Sequence, residues 1–320
     1  MSPADSSAAS PLVIDPETAE ILAAARANPP PDYQAIPLAE GRKKFNELTR
    51  VWNDPLPALA VVRDLTLPGP AGPLKARFYA PRAGARLPIE LYLHGGGWTF
   101  GGLDSHDRAV RLIAQDAGIA VLSLDYRLSP ETPFPGARDD ALAALRFIAS
   151  GALGNDVDAG RVAVGGDSAG ANLALCTMIG ARDGAAPLPR TATLIYGCFA
   201  PVFDTPSNLR YGRDFLLTTE RMRWFWKNYL GDADPAKGGG APLNDRLAGL
   251  PPLYLNAAGL DPLLDDSILM AGKLAAAGVP YRLDVHPGVV HGFMQQTSKV
   301  PRARAALAAI VDHLKRTLAA

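Results

Sequence analysis

Six short apolar runs separated by helical stretches constrain this chain more than any other feature. They are Ile89–Leu93, Ile119–Asp125, Val162–Val164, Thr193–Tyr196, Leu253–Ala257 and Tyr281–His286. Their apolar residues run on without alternation, as in strands buried on both faces. Helical patterns lie between most of them, at Asp107–Ala117, Ala137–Ser150, Ala169–Arg182 and Ser267–Ala277, and a last helix is expected over Arg302–Leu318. Strands alternating with helices predict an α/β fold, with a mostly parallel sheet flanked by helices. Upstream, Val61–Leu67 and Leu74–Tyr79 do alternate and are joined by a Pro/Gly turn, which predicts an antiparallel hairpin.

Two segments fall outside this rhythm. Residues 1–11 are rich in Ser, Ala and Pro and are expected to be mobile. A helix follows over Pro16–Arg26, with Asp15 as its N-cap and Pro16 at its first position. After a run of prolines a second helix is expected over Ala39–Trp52. The other segment separates Tyr196 from Leu253, where no strand signal occurs for more than fifty residues. It holds the aromatic-rich stretch Phe215–Leu230. That stretch reads either as a helix packing its aromatic side into the core, or as a lid helix lining an acyl pocket.

Bulk properties exclude several classes. Lys plus Arg and Asp plus Glu are both 32, so no net positive charge draws the chain to nucleic acid or an anionic membrane. Two cysteines, Cys176 and Cys198, cannot form a disulfide scaffold and read as buried free thiols. No basic region followed by an apolar core opens the sequence, and no run approaches the ~20 apolar residues of a membrane span. The expected location is therefore cytoplasmic. No His-x-x-x-His or Cys-x-x-Cys pair suggests a metal, and no G-x-G-x-x-G follows the first strand, so no cofactor is expected.

The chemistry concentrates in four motifs. Gly166-Asp167-Ser168-Ala169-Gly170 joins a predicted strand to a predicted helix, the setting of a nucleophile elbow. Its glycines suit a strained turn, and the helix N-terminus at Ala169 supplies a free N–H and partial positive charge. His94-Gly95-Gly96-Gly97-Trp98 follows the strand Ile89–Leu93. Its glycines can expose backbone N–H groups to a developing oxyanion. No Lys-Ser/Thr follows, which excludes a phosphate-binding loop. Asp261-Pro262-Leu263 and His291-Gly292-Phe293 each follow a strand, so the chain order is Ser, Asp, His. Ser168 is thus the candidate nucleophile, His291 its base and Asp261 the partner that orients the imidazole. Five histidines leave few rivals. His94 reads as a loop-holding residue, His286 as packed within a strand, His106 as able only to touch substrate, and His313 as solvated. Asp265 and Asp266 read as acids opening a helix.

Taken together, these motifs resemble the bacterial hormone-sensitive-lipase-like esterases of the α/β-hydrolase fold. Asp125-Tyr126-Arg127-Leu128-Ser129-Pro130-Glu131, with Phe134-Pro135, adds to the likeness. The resemblance covers about Val61 to the C-terminus. It implies an eight-stranded sheet in a catalytic domain over 56–320, with a helical cap built from 1–55 and about 200–245. It also implies oxyanion donors at Gly96, Gly97 and Ala169, with Gly95 as a further candidate. The implied substrates are small-molecule esters with short- to medium-chain acyl groups. Trp98 stands where the family often has Phe, on the alcohol side of the expected pocket. Trp98, Phe203, Phe215 and Trp224 are the expected substrate-binding residues. The resemblance also permits a homodimer through the last strand and helix. Alternatives are hydrolysis of another acyl bond (lactone, carbamate, amide or an acetyl group on a larger molecule), a small-molecule receptor on the same fold, and a lipase acting on lipid droplets, for which no basic amphipathic helix speaks.

Overall fold

The computed structural model describes residues 12–319, so the expected mobile tail at 1–11 lies outside the described residues. One eight-stranded sheet organises them, in the order β1-β2-β4-β3-β5-β6-β7-β8. The strands are β1 (Val61–Gly69), β2 (Gly72–Ala80), β3 (Leu87–Leu93), β4 (Ala120–Asp125), β5 (Val157–Asp167), β6 (Thr191–Ile195), β7 (Leu253–Leu260) and β8 (Tyr281–Val290). The predicted hairpin is β1–β2, and β2 also pairs antiparallel with β4. Every other neighbouring pair is parallel.

Period-two burial divides the core between the two faces of the sheet. On one face Phe78, Leu91 and Val164 pack under α4 (Gly136–Ala149), α5 (Ala169–Arg182) and α8 (Leu264–Ala276). On the other, Tyr79, Tyr92 and Ala163 meet α3 (Asp107–Ala117) and α9 (Pro301–Thr317). The helices expected from periodicity are all present, two with the expected ends and the others with ends moved by at most three residues. Several strands run longer than their apolar runs showed. β5 begins at Val157, and β8 continues through Pro287 and Gly288 to Val290. That extension carries the chain to His291.

Two segments stand over the carboxyl ends of the strands. The first contains α1 (Pro16–Ala27) and α2 (Leu38–Arg50), the second α6 (Pro206–Tyr211) and α7 (Thr219–Leu230). Asp15 occupies the N-cap position of α1, but its side chain caps nothing. It grips Arg302 on α9 at 2.6 and 3.1 Å instead, because an ionic partner outcompetes a backbone N–H for the carboxylate. Arg42 ties α2 to the body. Its guanidinium holds Glu131 with two bonds of 2.7 Å and donates to the carbonyls of Thr99 and Ser129. Among the described residues no helix is long and apolar enough to cross a membrane.

Candidate active site

The turn from β5 to α5 sets Ser168 in a conformation that non-glycine residues seldom adopt, with φ 55° and ψ −117°. Such backbone strain persists only where its surroundings hold it. Here the Ser168 N–H donates to Ile195 O at 2.8 Å. The turn also lies close against the end of β3. A Cβ at Gly170 would stand 1.9 Å from Leu93 O, and one at Gly166 2.3 Å from the same atom. Both glycines are therefore required by close approach, as the strained turn suggested.

The ends of β7 and β8 bring the other two residues to this turn. In the tautomer with its proton on Nδ1, His291 donates to Asp261 Oδ2 at 2.7 Å, and its Nε2 accepts from Ser168 Oγ at 2.9 Å. Asp261 is fully buried, and its Oδ1 accepts the Leu263 N–H at 2.9 Å. Tyr196 lies edge-on against the imidazole, 4.8 Å between centroids. The expected trio is thus in a continuous hydrogen-bonded row.

Beside it runs the glycine loop. Among the described residues the N–H groups of Gly96, Gly97 and Ala169 have no hydrogen-bond acceptor. Gly95 is different and corrects the expectation. Its N–H donates to Asp167 Oδ1 at 3.0 Å, so it is committed to a carboxylate. Asp167 also accepts from Tyr92 Oη at 2.9 Å and, in the tautomer with its proton on Nε2, from His106 at 3.2 Å. Burial alone would raise its carboxyl, but His106 and these donors together hold it below the usual range. His106 is buried, with Nδ1 2.7 Å from Ser105 Oγ, so it is fastened behind the loop as well as bordering the cavity. Sequence reasoning missed this Asp167–His106 couple, although Asp167 sits inside the elbow motif.

The remaining histidines are structural. His94 is buried, donates from Nδ1 to Gly95 O at 2.8 Å and stacks on Tyr126. Its pKa falls to about 4, chiefly through burial and then through neighbouring His106. His286 accepts from Asn256 Nδ2 at 3.0 Å. His313 is not solvated as expected. It is buried against the sheet with Nε2 2.7 Å from Thr191 Oγ1, and burial lowers its pKa to about 4. Asp266 does open α8 but turns inward, accepting the N–H groups of Phe199 and Ala200.

A cavity of about 240 Å³ opens above Ser168, lined mostly by apolar side chains. Tyr33, Phe45 and Trp52 come from the first overlying segment, and Leu217, Met222 and Phe225 from the second. None of the four aromatic residues expected there lines it. Trp98 is fully buried and stacks face to face on Tyr229, 4.1 Å between centroids. Gly97 and Trp98 both take positive φ there, and the indole lies in the core. Phe203 lies under the Arg223 guanidinium, and Phe215 packs edge-on against Tyr211. Trp224 stands behind the wall, against Phe100 and Phe225. Helical spacing explains the exchange on α7. Arg221, Met222 and Phe225 share an arc of about 100°, and Trp224 falls about 60° outside it.

A family profile described as alpha/beta hydrolase fold matches residues 90–295. This chain belongs to that family, among its hormone-sensitive-lipase-like esterases. The hydrolase is 44% identical over 243 residues to carboxylic ester hydrolase LipN of Mycobacterium tuberculosis, spanning 73% of this chain and 64% of LipN. It is 37% identical over 299 residues to ethyl acetate hydrolase of Pseudomonas putida, spanning 89% of this chain and 92% of that one. The solved structure of an esterase from Pyrobaculum calidifontis superposes with a TM-score of 0.89 at 34% identity, covering 96% of this chain and all of that one. The eight-stranded sheet of this hydrolase is thus the architecture the resemblance implied.

Proposed function

We propose that the chain is a serine carboxylic-ester hydrolase, with Ser168 as nucleophile, His291 as general base and acid, and Asp261 as the residue orienting His291. The observation that carries this reading is the row Asp261–His291–Ser168, with links of 2.7 and 2.9 Å at the floor of an apolar cavity. Ser168 Oγ attacks the ester carbonyl while His291 Nε2 takes its proton. The oxyanion that forms is met by the N–H groups of Gly96, Gly97 and Ala169, at the positive end of α5. His291 then protonates the departing alcohol. Water, deprotonated by the same nitrogen, releases the acid and restores Ser168. Asp261 stabilises the imidazolium formed in each step.

The substrates proposed are short- to medium-chain acyl esters, in keeping with the modest cavity. The proposed cap consists of residues 1–55 and about 200–245, because both supply cavity walls opposite Ser168. Two buried free thiols, Cys176 and Cys198, suit the cytoplasm as the proposed location. A second copy of the chain is the proposed partner, docking on β8. Its support is that β8 ends the sheet, Tyr281 and Val285 on it are 42% and 44% exposed, and Ile268 and Leu269 on α8 are each 46% exposed.

The decisive experiment is a series of p-nitrophenyl esters, from acetate to laurate, given to the wild type and to Ser168→Ala. The expected outcome is a maximum at or below the medium chains and a loss of at least ~10⁴-fold in the variant. Comparable turnover by both proteins would sink the reading.

A further inference from the structure

Among the described residues one Lys or Arg side chain lines the cavity, and no anion meets it. Arg221 projects from the first turn of α7 into a wall that is otherwise aromatic and aliphatic. Its guanidinium makes a single hydrogen bond, to Leu216 O at 3.4 Å, and lies over the Tyr33 ring at 5.3 Å. Among the described residues no carboxylate comes within ion-pair distance. Asp32, whose charge acts on it weakly, is exposed and receives the Gln34 N–H. Most other half-buried arginines behave otherwise, while Arg108, which also has no carboxylate among the described residues, donates to Thr297 Oγ1 and the Pro55 carbonyl. Arg42, Arg77, Arg111 and Arg127 each grip at least one carboxylate.

A guanidinium withdrawn from water without a counter-charge is costly to the fold. Burial already holds Arg221 below the usual arginine range. It also leaves most of five N–H donors free, in the planar fork that matches a carboxylate. Its position relative to the chemistry follows from the helix. Phe225, one turn further along the same face, abuts the glycine loop so closely that a Cβ on Gly97 would stand 2.3 Å from its ring. Arg221 therefore stands about 6 Å further along the wall from the oxyanion donors. Among the described residues the only carboxylate lining the cavity, Asp167, is already held by Gly95, Tyr92 and His106.

Resting on the esterase reading above, we propose that Arg221 is a specificity residue that receives a carboxylate carried on one arm of the ester. The substrate class is a half-ester of a short dicarboxylic acid, or the acyl ester of a short hydroxy acid. The carboxylate is bound and not transformed: water cleaves the ester bond to acid and alcohol, and the anion only holds the substrate in register.

Two matched pairs test this. Monoethyl adipate against ethyl hexanoate puts the charge on the acyl arm, and 6-acetoxyhexanoate against hexyl acetate puts it on the alcohol arm. Proton release gives kcat and KM for wild type, Arg221→Met and Arg221→Lys. In at least one pair, Arg221→Met is expected to lower the charged-to-neutral ratio of kcat/KM at least ~10-fold, mainly through KM, and Arg221→Lys to restore part of it. A residue that merely braces the cap against Tyr33 would not move that ratio. Ratios within twofold of wild type in both pairs would overturn the proposal. Calorimetry supplies a readout without turnover: monoethyl adipate and 6-acetoxyhexanoate are titrated into Ser168→Ala and into the Ser168→Ala, Arg221→Met double variant. At least ~10-fold weaker binding of one of them to the double variant supports the proposal, and equal affinities for both overturn it. If the wild type cleaves none of the four esters, the esterase reading falls while this comparison still decides the role of Arg221.

Discussion

At the scale of single residues, this site uses two carboxylate–imidazole couples for different ends. Asp261–His291 faces Ser168 and, in the proposed mechanism, handles its proton. Asp167–His106 lies behind the glycine loop and holds Gly95 by its N–H. The second couple fixes where the neighbouring free donors point, and an oxyanion hole works only if its donors are already aimed. Asp167→Asn keeps the shape but removes the charge that binds both Gly95 and His106. It is expected to lower kcat by about 10²-fold with KM little changed, since misplacement by about 1 Å is enough for such a loss. Steady-state kinetics with a short-chain ester checks this, and a change confined to KM would contradict the positioning role.

The β5–α5 junction shows how whole elements govern the site. The position of Ser168, the proposed nucleophile, depends on α5 starting within contact distance of the last residue of β3, and only residues without Cβ permit that. Gly170→Ala must push the helix from Leu93, so it is expected to destabilise the fold by about 3 kcal/mol. It should cut activity together with stability. Urea unfolding followed by tryptophan fluorescence measures the first, and an unchanged midpoint would show that the junction yields easily. A related lesson comes from α7. Its aromatic residues serve both readings of that stretch: Trp226 and Tyr229 pack into the core around Trp98, while Phe225 turns to the cavity.

Over the whole molecule, two buried acids tie stability to pH. Glu90 lies in the centre of the sheet, accepts only the Thr193 hydroxyl at 2.5 Å and leaves Oε2 without a partner. Burial, opposed in part by that hydroxyl, pushes it up to about 7. Burial raises Asp266 to about 7 as well, against the Phe199 and Ala200 N–H groups. A carboxyl whose folded pKa is raised lends stability below its unfolded value, near 4, and loses that contribution as pH rises through about 7. Tm is therefore expected to fall between about pH 5 and 8. Glu90→Gln should flatten the fall, by an amount on the order of 3 kcal/mol at most. Scanning calorimetry across that range decides it, and parallel curves for the two proteins would refute it. The exposed edge of β8 belongs to this scale too. Val285→Lys is expected to shift a dimer to monomer in sedimentation velocity, and a wild type that sediments as monomer would remove that partner.

Much of this was legible in the residues. Buried strands and amphipathic helices follow from local periodicity, so the α/β class and the hairpin could be read before any coordinates. That Ser168, Asp261 and His291 would meet was also legible, because each stands at a strand end in a motif whose backbone demands are local. What needed the tertiary structure was direction. Whether Trp98 or Tyr33 faces the cavity, whether Gly95 N–H is free or bound to Asp167, and whether His313 is wet or dry all depend on contacts between segments far apart in the chain. Period and motif carry no information on which side chain a distant helix will meet. Packing alone settles that, and here it placed the cavity wall on residues that local sequence had no means to single out.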